Sequence, residues 1–214
     1  MSLPGAAEPM RIAVLLSGEG TSFENLCEAI ERERIPARVE VVIASREEAG
    51  GLRRARRRGI PAVAVPRKAF RDLDAFNDAI HAELGRHPVD LVALLGFLSL
   101  FQLRGRYANR VINVHPALIP AFSGRGFYGH RVHEAVLASG VRVTGATVHI
   151  ADDEYDHGPI VLQEAVPVLR SDTPESLAAR VQALERRLVP EAVRLFAEGR
   201  IRVEGRRVLL RDPA

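Results

Sequence analysis

The chain has 214 residues, a formal net charge of +3, a hydrophobic fraction of 47% and a charged fraction of 27%, the proportions of one ordinary globular domain. No apolar run approaches the roughly 18–20 residues that a membrane-spanning helix needs, and the single cysteine, Cys27, excludes an internal disulfide framework and a multi-cysteine zinc site. A cytoplasmic protein is the expectation.

Residues 1–9 lack the basic start and continuous apolar core of a signal peptide and read as a flexible leader, with Met10 a candidate alternative start. The first strand is expected over Arg11–Leu16, "RIAVLL". It runs into "SGEGTS", Ser17 to Ser22, which opens a helix near 22–34. Glycines at 18 and 20 allow a sharp turn and close approach of backbone N–H groups to a ligand. A helix N-terminus adds free donors and partial positive charge, a natural phosphate seat. The loop is neither a P-loop nor G-x-G-x-x-G, because Phe23 stands where the third glycine would be. A phosphate monoester fits it better than a dinucleotide.

A second strand is expected over Val39–Ser45, then a helix near 50–58 ending in "RRARRRG". Cations there face the negative end of the helix dipole, and Gly59 is a natural C-cap. With no interleaved aromatics beside it, the arginine run reads as a solvated helix face and not as a nucleic-acid site. A strand at Ala62–Val65, a helix near 72–85 and a strand at Asp90–Phe97 follow.

The next strand, Val111–His115, ends in "NVHPALIP". Asn113 and His115 have the same side-chain parity, so an amide donor and an imidazole project to one side of the strand end. Such a pair suits a tetrahedral oxyanion and a proton transfer, the two needs of acyl transfer. His130 and His133 lie three apart on a helix near 130–138 with no third ligand in view, so no metal is expected. No G-x-S-x-G elbow marks a serine hydrolase. Strands at Gly145–Ala151 and Pro159–Val168 flank "DDEYDHGPI", from which Asp156 could reach a histidine beyond the neighbouring strand, with Thr147 and His149 in support. The last helix starts at Asp172-Thr173-Pro174-Glu175. Leu177, Val181, Leu184, Leu188, Ala192 and Phe196 give it one apolar stripe before Gly199. The tail "IRVEGRRVLL" suggests a small hairpin.

Strands alternating with helices predict an α/β, Rossmann-like, mainly parallel sheet of about seven strands with helices on both faces. The expected division is one domain over 10–203 with a C-terminal tail over 204–214.

"SGEGTS", "NVHPALIP" and "DHGPI", in this order and spacing, resemble the formyltransferase family that uses 10-formyltetrahydrofolate, over nearly the whole chain from Met10 to about Val203. Within that family "SGEGTS" is similar to the phosphate loop of the members acting on glycinamide ribonucleotide. The methionyl-tRNA branch carries a further C-terminal domain and the deformylase branch an N-terminal regulatory one, and the chain has room for neither. The resemblance implies formyl transfer from 10-formyltetrahydrofolate to the amine of glycinamide ribonucleotide in de novo purine synthesis. A deformylase or an amino-sugar formyltransferase on the same scaffold is the alternative. It also implies a monomer or homodimer whose partners are those two small molecules, with neither nucleic acid nor membrane.

Carried over by motif, Asn113 would donate to the developing oxyanion, His115 would stabilise it and assist proton transfer, and Asp156 would hold His115 and help shuttle a proton. Gly18, Glu19, Gly20, Thr21 and Ser22 would line the phosphate site and Glu185 would contact the ribonucleotide. Phe97, Leu98, Ser99 and Leu100, with Asn113, Ile150, Asp153 and Asp156, would face the folate. The chain departs from the family at Ser22, where Asn is frequent, at Ser99, where Arg is common, and at Arg186, where His is usual. A family arginine after the third strand has no clean counterpart, and Arg67 or Arg71 could substitute for it.

Overall fold

Residues 8–212 are described by the structure, a computed structural model; the leader expected over 1–9 lies outside them except for Glu8 and Pro9. Strands β1 (Met10–Leu16), β2 (Ala37–Ala44), β3 (Ala62–Ala64), β4 (Leu91–Leu94), β5 (Val111–His115), β6 (Val143–Ile150) and β7 (Ile160–Pro167) form one sheet in the order β3-β2-β1-β4-β5-β6-β7. The strands from β3 through β5 are parallel, whereas β5–β6 and β6–β7 pair antiparallel. The helices are α1 (Thr21–Glu33), α2 (Gly50–Arg57), α3 (Leu73–Leu84), α4 (His130–Ser139) and α5 (Pro174–Ala197).

Alternation along β1 divides the core into two layers. Ile12, Val14 and Leu16 pack in one layer with Phe23 and Leu26 of α1, Leu52 of α2, Val132 of α4 and the stripe of α5. Ala13 and Leu15 face the other layer with Phe76, Ile80 and Leu84 of α3. The chain winds from β1 to β3 in one direction, then returns past β1 to β4. The strand order therefore reverses between β1 and β4, and a parallel sheet opens a ligand crevice beyond its strand ends at such a point.

One strand end differs from expectation, and one helix keeps its expected length through a proline. Strand β4 stops at Leu94, where Phe97 was expected, because Ser17 captures the chain beyond it. The Ser17 amide donates to the Gly96 carbonyl at 3.0 Å, its hydroxyl accepts from the Leu98 amide at 2.9 Å, and Gly96 turns with φ +70°. Helix α5 continues through Pro190. A proline there removes the donor that the Arg186 carbonyl would use, and the Asn25 side-chain amide of α1 donates to that carbonyl instead, at 2.8 Å. At the start of α5, Thr173 and Ser176 cap each other's amides and Pro174 opens the first turn. After α5, β8 (Ile201–Glu204) and β9 (Arg207–Leu210) pair as a hairpin. No helix among the described residues is long and apolar enough to cross a membrane.

Candidate active site

A cleft of about 540 Å³ opens beyond the carboxyl ends of β4 and β5. One wall is the Phe97–Phe101 loop, another the glycine-rich segment 124–130, and a third the loop after β6 with Asp152, Glu154, Tyr155 and Asp156. Ala178, Gln182 and Glu185 of α5 close the side nearest Ser22.

At its base, strand pairing assembles a polar cluster. The β5–β6 register sets Asn113 opposite His149 and His115 opposite Thr147. The Asn113 side-chain amide donates to His149 Nε2 at 3.0 Å and to Asp156 Oδ1 at 3.3 Å. His149 Nε2 is thus an acceptor, and its ring proton lies on Nδ1, donated to the Ile150 carbonyl at 3.1 Å. His115 Nε2 donates to the Phe122 carbonyl at 2.8 Å, which leaves Nδ1 facing Asp156 Oδ2 at 3.3 Å. The second lobe of Asp156 is fixed by the Gly124 amide, 2.9 Å from Oδ2.

Burial holds His115, 3% exposed, below its ordinary value, although the Asp156 charge and the Phe122 carbonyl pull the other way. Burial pushes the Asp156 carboxyl up. The neighbouring His149 and His115 rings and the Gly124 amide together outweigh it and hold the group below the usual carboxylate range. A neutral imidazole and an ionised carboxylate therefore face each other, both as acceptors. The pair is one proton short of a hydrogen bond, which is the condition of a group ready to take a proton from a reacting amine.

The structure brings together Asn113, His115, Asp156, Ser22, Glu185, Phe97, Leu98, Ser99 and Leu100 around this one cleft. Glu185, half-buried on α5, is pushed up to about 7 by burial, with the neighbouring Arg186 opposing. Gly18, Glu19, Gly20 and Thr21 do not line the cleft among the described residues, although the first amides of α1 are uncapped because its N-cap is Gly20. The reason for Gly20 is packing: it sits at φ +71°, and a Cβ there would lie 2.6 Å from Gly51 Cα. Glu19 is exposed, and its carbonyl accepts from Arg54 Nε at 2.8 Å.

Ile150 and Asp153, expected on the folate side, are not among the described residues that line the cleft. Ile150 is 1% exposed in the core, and Asp153 accepts from the Leu103 amide at 2.6 Å, tying two cleft loops together. Arg67, with Arg46 and Lys68, lines a second cavity of about 500 Å³ that shares Leu98, Ser99 and Tyr128 with the first. Arg71 lies against Asp72 at the surface and lines neither. Sequence reasoning passed over Ser17, the Phe122 carbonyl and the Gly124 amide. The only signal for the last two is the glycine-rich run "SGRGFYG", which marks a loop able to fold back on the site.

The formyl transferase family model matches residues 10–193. The chloroplastic phosphoribosylglycinamide formyltransferase of Vigna unguiculata is 39% identical over 89% of this chain, which spans 62% of that protein's length. The phosphoribosylglycinamide formyltransferase of Haemophilus influenzae is 34% identical over 91% of this chain and 90% of its own. The crystal structure of glycinamide ribonucleotide transformylase 1 from Symbiobacterium toebii superposes with a TM-score of 0.91 at 43% identity, covering 99% of both chains. With the family model matched over most of its length and relatives of that activity more than 30% identical across most of the chain, this chain belongs to the formyl transferase family.

Proposed function

We propose that the chain transfers the formyl group of 10-formyltetrahydrofolate to the amine of glycinamide ribonucleotide, as a cytoplasmic enzyme of purine synthesis. The observation that carries this reading is the convergence of Asn113, His115 and Asp156 at the base of one cleft, beside the free amides of α1.

In this reading the ribonucleotide phosphate sits at the N-terminus of α1 near Ser22, with Glu185 on the ribose side. The folate lies along Phe97–Leu100, and its glutamate carboxylates extend toward Arg67 and Lys68. The amine nitrogen attacks the formyl carbon and the carbonyl oxygen becomes an oxyanion, which the Asn113 amide stabilises. The amine proton passes to the His115–Asp156 pair. The carbon–N10 bond then breaks as N10 takes up a proton, giving the formylated ribonucleotide and tetrahydrofolate. No other group needs to enter the balance.

The test follows folate absorbance with 10-formyltetrahydrofolate, with and without glycinamide ribonucleotide. Turnover only with the ribonucleotide is expected. Release of formate without it would replace the transferase by a deformylase.

A further inference from the structure

Asp156 lies in a loop that has to be held in place. Its backbone is left-handed, with φ 52°, a region that costs a non-glycine residue free energy unless its surroundings impose it. On one side the loop is packed tightly: a Cβ on Gly158 would fall 1.8 Å from the Ile150 carbonyl oxygen. The other side faces solvent, and there the C-terminal hairpin reaches back.

Arg206, in the turn between β8 and β9, donates from Nη1 to His157 Nε2 at 2.9 Å and from Nη2 to the His157 carbonyl at 2.7 Å. A guanidinium only donates, so His157 Nε2 is an acceptor. The ring proton is then on Nδ1, which donates to Asp152 Oδ2 at 2.7 Å. Asp152 Oδ1 accepts the Glu154 amide at 3.0 Å. One guanidinium fork thus grips both the backbone and the side chain of the residue that follows Asp156, and the grip continues to the start of the loop. Arg206 stands beyond residue 193, where the family match ends; the hairpin of this chain supplies the clamp.

We propose that Arg206 is a positioning residue for Asp156, acting through His157. Its fork holds loop 152–158 so that the carboxylate meets His115 Nδ1 and the Asn113 amide at once. The role rests on the formyl-transfer reading above, because that reading makes the setting of Asp156 decide the rate.

The experiment combines steady-state kinetics with hydrogen–deuterium exchange on the full chain. Arg206→Ala is expected to speed exchange across 153–158 and to lower kcat about 10- to 100-fold, the scale on which a displaced reacting group slows chemistry. KM for the ribonucleotide, bound at the far wall, stays within about twofold. Arg206→Lys recovers part of the rate, and free guanidinium at millimolar concentration restores activity to Arg206→Ala. Combining Arg206→Ala with His157→Ala costs no more than the larger single loss, since both remove one link. Unchanged kcat in Arg206→Ala, or additive losses in the double variant, overturns the proposal. Wild-type protein without transferase activity would sink the functional reading instead. The clamp is then judged by exchange alone, and an unaltered 153–158 segment overturns it.

Discussion

His115 and Asp156 gain their chemistry from what surrounds them. The Phe122 carbonyl fixes the His115 proton on Nε2 and burial keeps the ring neutral, so Nδ1 is a free base beside an ionised carboxylate. Replacing His115 with Ala removes that base, and kcat is expected to fall by about 10²- to 10⁴-fold. The ribonucleotide KM changes little, and a near-normal kcat in a folded variant would contradict the assignment. The pH profile adds a sign. Neutral His115 is the active form and its folded value lies below the ordinary 6.5, so the acid limb of kcat/KM falls below that pH. The Asp156 charge raises His115; Asp156→Asn therefore moves the limb further toward acid while lowering the plateau. A limb that stays in place would mean that another group titrates. At this scale the sequence was informative about side chains and silent about backbone. Strand parity placed Asn113 and His115 on one side, and the acidic turn offered Asp156. The Phe122 carbonyl and Gly124 amide are main-chain groups whose only trace in sequence is the glycine-rich run around them, and a folded-back loop has to deliver them. Ile150 and Asp153 were assigned to the folate by the family resemblance; here the end of β6 buries Ile150 in the core and the following loop ties Asp153 to the Leu103 amide.

Among the elements, α1 and α5 show how one polar contact lets an unfavourable residue stay. Pro190 leaves the Arg186 carbonyl without its helical partner, and Asn25 supplies the donor across the interface. Asn25→Ala is expected to lower stability by about 0.5–1.5 kcal/mol, the net worth of a hydrogen bond. In a Pro190→Ala background the same change costs less, because the restored amide at residue 190 can serve Arg186 itself. Urea unfolding of the four proteins closes that cycle, and equal losses in both backgrounds would remove the coupling. A second test at this scale concerns the loop before α1. Gly20→Ala puts a Cβ against Gly51 in a left-handed position, so a lower Tm is expected before any specific rise in the ribonucleotide KM. Periodicity revealed the buried face of α5, since an apolar stripe repeats where a helix turns. The end of β4 was hidden because "LGFL" is apolar beyond Leu94, and its departure from the sheet is caused by Ser17, which lies 81 residues from Leu98 in sequence.

For the whole molecule, the mainly parallel α/β class was legible from alternating elements, but the order β3-β2-β1-β4-β5-β6-β7 was not. No local run encodes which strand lies next to which, and the antiparallel turn of β6 that sets His149 against Asn113 comes only from that order. Burial also gives the molecule two opposed pH responses. His81, His115 and His133 are held below their ordinary value of 6.5, burial being the largest cause in each. As pH falls below about 6.5 the unfolded chain takes up these protons first, so their contribution is full above that pH and is lost toward acid. Glu185 behaves the other way. Its folded value of about 7 exceeds the ordinary 4.5, so the folded state keeps a proton that the unfolded chain has released, and stability falls as pH rises between the two. Glu185→Gln removes that penalty. Its Tm is therefore expected to exceed wild type at pH 8, with the gap narrowing as pH approaches 5, in calorimetry across that range. An equal Tm at pH 8 would mean that water reaches the carboxylate. A raised Tm together with a weakened ribonucleotide KM would mean that the chain keeps a costly, half-buried acid on α5 because the substrate uses it.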